Sequence, residues 1–397
     1  MGQSMGSGER MKTIIQLATA IALSSSALMA HAEVAQAPKA VSFVGTTTTD
    51  LWQNTSGGLK RGGVVINTAD LIFDFDGAAV GHDGWSANLH VLATDGHSLS
   101  ALLGDVQTAT NIEGDGATHL FEAWVRRQIT PTTAIKVGII DLNADFDANE
   151  TPGLFINSSH GVGPELSGAG PNAAPVWPNG TAGVELQMTP TENSRFTAAV
   201  FNGTPRDIDH PLAFAAVTHN KDDGVMAIAQ GDWTSANGIH WSAGVWHHTA
   251  DFSPLDPFAT DMVTGQTGAY GLVEAPLPFL DRSSGWIRVA KVDDASSYVA
   301  NYVGGGVTHD GLFAARPDDK IGLAFAYAGI SDKARAASAL DGLPLKSGEL
   351  AIELTYAAQI TPYLALQPDV QYIIHPGGDS SLGDALAIGL RVSLQTY

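Results

Sequence analysis

The chain has 397 residues, with 41 acidic residues against 20 basic, 44 glycines and no cysteine. This acidity excludes a nucleic-acid partner, which needs a basic footprint. The missing cysteine removes any disulfide framework, thiolate metal site or cysteine nucleophile, and the length suits two or three ordinary domains or one large all-β domain.

From Met11 the sequence reads MKTIIQLATAIALSSSALMAHA. Lys12 supplies a short positive flank, an apolar stretch runs from Thr13 to about Leu23, and Ala30 and Ala32 stand in A-x-A positions. This pattern predicts a secretory signal peptide over residues 1–32, cleaved after Ala32. The apolar stretch is short for a membrane anchor and is followed by serines. No later apolar run approaches the roughly 18 residues a spanning helix requires. Residues 33–397 are therefore expected to form one domain on the far side of the inner membrane.

Beyond Glu33 the sequence falls into short alternating segments. They are Val41–Leu51, Gly63–Phe75, Trp85–Thr94, Thr118–Ile129 and Ala134–Asp141, then Ala182–Pro190, Arg195–Asn202, Gly224–Trp233, Ile239–Thr249 and Gly268–Leu277. Ser284–Val292, Ser297–Val307, Lys320–Ile330, Gly348–Ile360, Tyr363–Ile374 and Ala385–Tyr397 complete the series. These make about sixteen, each near the length of a tilted strand crossing a bilayer.

In IGLAFAYAGI, Ile321, Leu323, Phe325 and Tyr327 share one face, opposed by Gly and Ala. The same holds for Leu350, Ile352, Leu354 and Tyr356, and for Leu386, Ile388, Leu390, Val392 and Leu394. The opposite faces carry mostly Gly, Ala, Ser, Thr and Gln with an occasional charge, which suits a narrow wet lumen better than the charged exterior of a soluble sandwich. Tight connections such as Thr130–Thr133, Thr189–Ser194 and Ile360–Tyr363 alternate with long ones from Asp95, Asn143 and Thr204. The pattern predicts an all-β fold: a transmembrane antiparallel β-barrel of about sixteen strands, with short periplasmic turns and longer external or in-folded loops. Tyr397 offers the terminal aromatic common to such barrels, although it is out of phase with Leu386–Leu394.

Several stretches in order resemble the carbohydrate-selective porin family of the OprB type. They are NTSGGLKRG (Asn54–Gly62), LFEAWVRRQ (Leu120–Gln128), KVGIIDLNADFD (Lys136–Asp147), FINSSHGVGPELS (Phe155–Ser167) and LQPDVQYIIHPGG (Leu366–Gly378). The resemblance spans nearly the whole mature chain. It implies a sixteen-stranded barrel in the Gram-negative outer membrane that passes sugars by diffusion. The partners expected are small carbohydrates, outer-membrane lipid and lipopolysaccharide, with the barrel acting as a homotrimer or a monomer.

A pore that favours neutral sugars over ions needs hydrogen-bonding groups and a flat aromatic surface at a narrow waist. Glu122, Trp124 and Arg126 share one strand face and offer acceptor, platform and donor, with Phe121, Ala123 and Val125 expected on the lipid side. Trp124 would alternatively serve as a girdle residue at the membrane interface. Arg288, Glu353 and Arg391 are charges within strands, so the cost of facing lipid turns them inward, to contact sugar or to form structural ion pairs. The segment Asn143–Asn179 is the expected constriction loop and contributes Asp145, Asp147 and Asn157.

Asp145-x-Asp147-x-Asn149 hints at a calcium loop. However, Glu150 replaces the required Gly and Ile156 the bidentate Glu, so an EF-hand is rejected. His247 and His248 point to opposite faces of one strand and do not chelate together. No metal, cofactor or catalytic residue is expected, and no G-x-S-x-G elbow is present. The alternatives to a sugar channel are a general or cation-preferring porin on the same barrel, a barrel-borne enzyme, and a secreted sandwich with no pore.

Overall fold

A computed structural model describes residues 39–205, 213–215 and 222–396. The expected signal peptide and Tyr397 lie outside the described residues. In chain order the strands are β1 (Val41–Ser56), β2 (Gly62–Asp76), β3 (Trp85–Gly96), β4 (Thr118–Thr130) and β5 (Thr133–Ile140). Then come β6 (Thr181–Thr191), β7 (Ser194–Asn202), β8 (Val225–Thr234), β9 (His240–Phe252), β10 (Val263–Pro276) and β11 (Ser283–Val292). The last are β12 (Val299–Asp310), β13 (Lys320–Ile330), β14 (Gly348–Thr361), β15 (Leu364–Ile374) and β16 (Ala385–Gln395). Each pairs antiparallel with its sequence neighbours, and β16 closes onto β1 with Leu390 opposite Leu51 and Arg391 opposite Asp50. Closure leaves no unpaired edge, as hydrocarbon surroundings demand.

Side-chain exposure decides what the wall faces. In β13, Leu323 and Phe325 are 51% and 40% exposed, while Ala324 and Ala326 are 3% and 0% exposed. In β14, Ile352 and Leu354 are exposed and Glu353 is fully buried. A packed soluble core would reverse this order; a lipid-facing wall produces it. Trp85, Phe196, Trp233 and Trp241 are exposed on the short-turn side, and Tyr298 and Tyr372 towards the long loops. These positions mark the two interfacial belts. Among the described residues no helix is long and apolar enough to cross a membrane.

Most strand ends fall within a residue or two of the alternating segments. β1 runs on to Ser56 rather than ending at Leu51, and β9 and β12 end three residues later than expected, at Phe252 and Asp310. Two further differences have local causes. β10 begins at Val263 rather than Gly268, because a register shift between Thr264 and Gln266, with Gly265 in the left-handed region, interrupts the alternation. Phe121 is not on the lipid face. His90 pairs with Glu122 but Val91 pairs with Leu120, so Phe121 is the extra residue of a bulge. Its ring turns inward and meets His90 edge-on at 5.0 Å.

The apolar core lies inside the ring, where two long loops rest on the inner wall. Phe146, Leu166 and Val176 of the 141–180 loop pack on Phe201, Ile228 and Trp246. Leu99, Leu103 and Ile156 pack with Trp52, Ile66 and Ile373. Inward aromatics lie opposite glycines: Trp52 faces Gly389, Tyr270 faces Gly244 and Trp246 faces Gly268. A Cβ at those glycines would come within 2.5, 2.3 and 2.5 Å of the rings. Glycine there lets a large ring lie flat on a pleated surface.

Candidate substrate pathway

Four expected site residues hold the 141–180 loop against the wall. Arg288 of β11 is buried between the rings of Tyr270 and Tyr302, whose centroids are 5.2 and 5.0 Å from its guanidinium. Its Nε donates to Asp147 Oδ1 at 2.9 Å and its Nη2 to Glu165 Oε1 at 2.7 Å. Asp147 takes a left-handed conformation, φ 56°, and its N–H donates to Gln230 at 2.8 Å. Glu353 of β14 accepts the backbone N–H groups of Ile156 and Asn157 at 2.6 and 3.0 Å, and the Asn157 amide donates to Gln371 at 3.1 Å. His160 lies 3.5 Å from Glu353. Burial pushes its pKa down to about 3, so the ring is neutral and this contact is not an ion pair.

The 97–117 loop folds inward as well, which the sequence reading did not single out. Val106 N–H and the Gln107 amide both donate to Glu349 at 3.0 Å, and Gln371 donates to Ala109 O at 2.7 Å. Thr110 donates to Asp50 at 2.6 Å. Arg391 grips Asp50 with two nitrogens at 2.8 and 2.9 Å and reaches Asn111 at 2.8 Å. The planar guanidinium suits this forked contact.

These loops pack against the inner faces of β7–β16 and β1 and reach Ile66 of β2. Facing them across the lumen is a polar band on β2–β6. Asp70 and His90 meet at 2.9 Å, and His90 lies 4.0 Å from Glu122. Glu122 accepts from the Trp124 indole at 3.2 Å and from Asp141 N–H at 3.3 Å. Lys136 stands over the Trp124 ring at 5.3 Å, pairs with Asp145, and lies 3.4 Å from Glu185. Arg126 donates to Gln187 at 3.2 Å. Asp141, at the root of the loop, has its pKa pushed up to about 8 by burial and by the nearby Glu122 carboxylate.

The structure thus divides the expected residues. Glu122, Trp124, Arg126, Asp145 and Arg391 are partly exposed on the inward side, whereas Asp147, Asn157, Arg288 and Glu353 are buried beneath the loops. Trp124 points inward and packs beside the inner core cluster, away from the interfacial belt. Lys136, Glu185 and Asp70 were missed, although each is a charge within a strand and the cost of facing lipid applies to it equally.

A closed sixteen-stranded wall, apolar outside and charged inside, with loops tucked into its bore, defines a porin. The model for the carbohydrate-selective porin, OprB family, matches residues 61–395, and the chain belongs to that family. Porin B of Pseudomonas aeruginosa is 34% identical over 113 residues, which cover 25% of this chain and 25% of Porin B. The putative porin QuiX of Acinetobacter baylyi is 30% identical over 101 residues, covering 22% of this chain and 23% of that protein. The chain therefore aligns with about a quarter of the length of each of these curated relatives. The high-pH structure of Pseudomonas putida OprB shares the fold, with a TM-score of 0.80 at 19% identity over 90% of this chain and 94% of that one. The protein is an outer-membrane barrel of a Gram-negative cell, and its family is one of channels rather than enzymes.

Proposed function

We propose that small carbohydrates diffuse passively through the space between the polar band of β2–β6 and the pinned loops. The observation that carries this reading is the interleaving of acceptors and donors along that band. Asp70, Glu122 and Glu185 alternate with His90, Arg126 and Lys136, Asp145 joins them from the root of the 141–180 loop, and Arg391 with Asn111 approaches from the far side. A neutral polyol exchanges hydrogen bonds with both kinds of group as it passes, while an ion of either sign meets repulsion from one of them. Glu122, Trp124, Arg126, Asp145 and Arg391 are the residues assigned to contact sugar, with Trp124 offering an edge because Lys136 covers its face. Asp147, Asn157, Arg288 and Glu353 act indirectly, by setting where the loop stops. The outer wall meets outer-membrane lipid, with lipopolysaccharide at the loop-side rim.

A second reading, cation preference on the same barrel, is favoured by the acidic majority around Lys136 and the net charge of −21. Reconstitution separates the two. Proteoliposomes swelling faster in glucose than in a charged solute of similar size support sugar passage. A cation-selective current indifferent to added sugar would move the assignment to the second reading.

A further inference from the structure

On the outside of the barrel, at the long-loop rim, Leu51, Val65 and Ile388 of the wall and Ala101 and Leu102 of the helix Ser100–Leu103 line an apolar groove of about 840 Å³. Its upper edge carries Lys60 and Arg61, both exposed, in a chain with half as many basic as acidic residues. The pair is tied to the groove wall. Lys60 N–H donates to Leu102 O at 2.9 Å, and the buried Asn54 amide holds Gly57 O and Lys60 O at 3.0 Å each. Among the described residues neither side chain has a carboxylate partner. In the adjoining loops Glu113 accepts from Ser98 and from Leu99 N–H at 2.8 Å, Asp384 accepts from His375 N–H and the Tyr372 hydroxyl at 3.1 Å each, and both carboxylate oxygens of Asp105 are buried away from the rim.

An apolar slot that opens to the acyl layer beneath two unneutralised cations at headgroup height complements an anionic lipid. We propose that this groove seats the lipid A part of lipopolysaccharide, with an acyl chain between Leu51, Ile388 and Leu102 and a phosphate on Lys60 and Arg61. The site depends on placement in the outer membrane and not on what passes through the bore.

The test uses the folded chain in detergent, with purified lipid A as the probe, read by native mass spectrometry and by the shift in thermal unfolding. Lipid A should bind and stabilise the parent, and K60A/R61A should weaken binding roughly thirty-fold. Ala101→Trp, which fills the slot, should weaken it independently of charge. K320A, at the opposite rim, should bind like the parent. Ion conductance in planar bilayers confirms that each variant is folded. Equal binding by K60A/R61A and the parent overturns the proposal. So does equal binding of dephosphorylated lipid A or of phosphatidylethanolamine, which would reduce the groove to ordinary hydrocarbon contact.

Discussion

Arg288 carries its charge in a fully buried position, and its two carboxylate partners and two ring faces are what make that tolerable. Replacing it with Met leaves Asp147 and Glu165 buried without a cation, which should cost about 3–5 kcal/mol of stability in denaturant unfolding from detergent. Lys in its place should recover only part, since an ammonium lacks the fork that reaches both acids. Asp141 gives a pH signature. Its folded pKa of about 8 lies above its ordinary 3.8, so its stabilising proton is fully present below the ordinary value and lost as pH rises through 8. Asp141→Asn should therefore flatten the decline in stability expected of the parent between pH 4 and 8. W124A/R126A should raise ion conductance and weaken block by sugar. If both properties match the parent in bilayer recordings, the waist lies elsewhere. The rule that charges within strands face inward was readable from sequence, and Glu122, Arg126, Arg288, Glu353 and Arg391 all lie on the inner side of the wall. Which of them meet water was not readable, because that depends on where a distant loop comes to rest.

At the level of the element, all sixteen strands were legible because lipid outside and small residues inside impose a period of two on each. Legibility failed at bulges, where one extra residue shifts the phase: Phe121 was assigned to lipid, and the start of β10 was placed late. The inward folding of the 97–117 loop left no such mark. It depends on single contacts such as Gln107 to Glu349 that have no periodicity. The pairing of glycine with aromatic rings is also invisible until register is known. Gly389→Val should force the Trp52 ring off the wall and lower the yield of folded barrel, read as loss of the heat-resistant compact band in gel electrophoresis.

For the molecule as a whole, acidity and the proposed passage of neutral sugar pull in different directions, and on that proposal the bases interleaved in the band offset its acids locally. Neutralising Lys136 by Lys136→Met removes the cation that Asp145 and Glu185 share. Permeability to cations over anions, measured as reversal potential in a salt gradient, should then increase while the barrel still conducts. Family membership could be recognised from five short stretches standing in the family's order, four of them between Asn54 and Ser167 and one at Leu366–Gly378. Size exclusion and preference among sugars were not legible, since they depend on the gap between two surfaces far apart in sequence.

The joint between β1 and β16 sets an order of events. β1 is hydrogen-bonded to β16 across most of the sequence, with Thr46 opposite Gln395 and Gln53 opposite Ile388, so nothing seals the cylinder until both strands are present. Every partial product is a sheet with two raw margins that hydrocarbon cannot satisfy. A wall lacking either of these two strands therefore has no stable place in hydrocarbon, and closure has to accompany insertion.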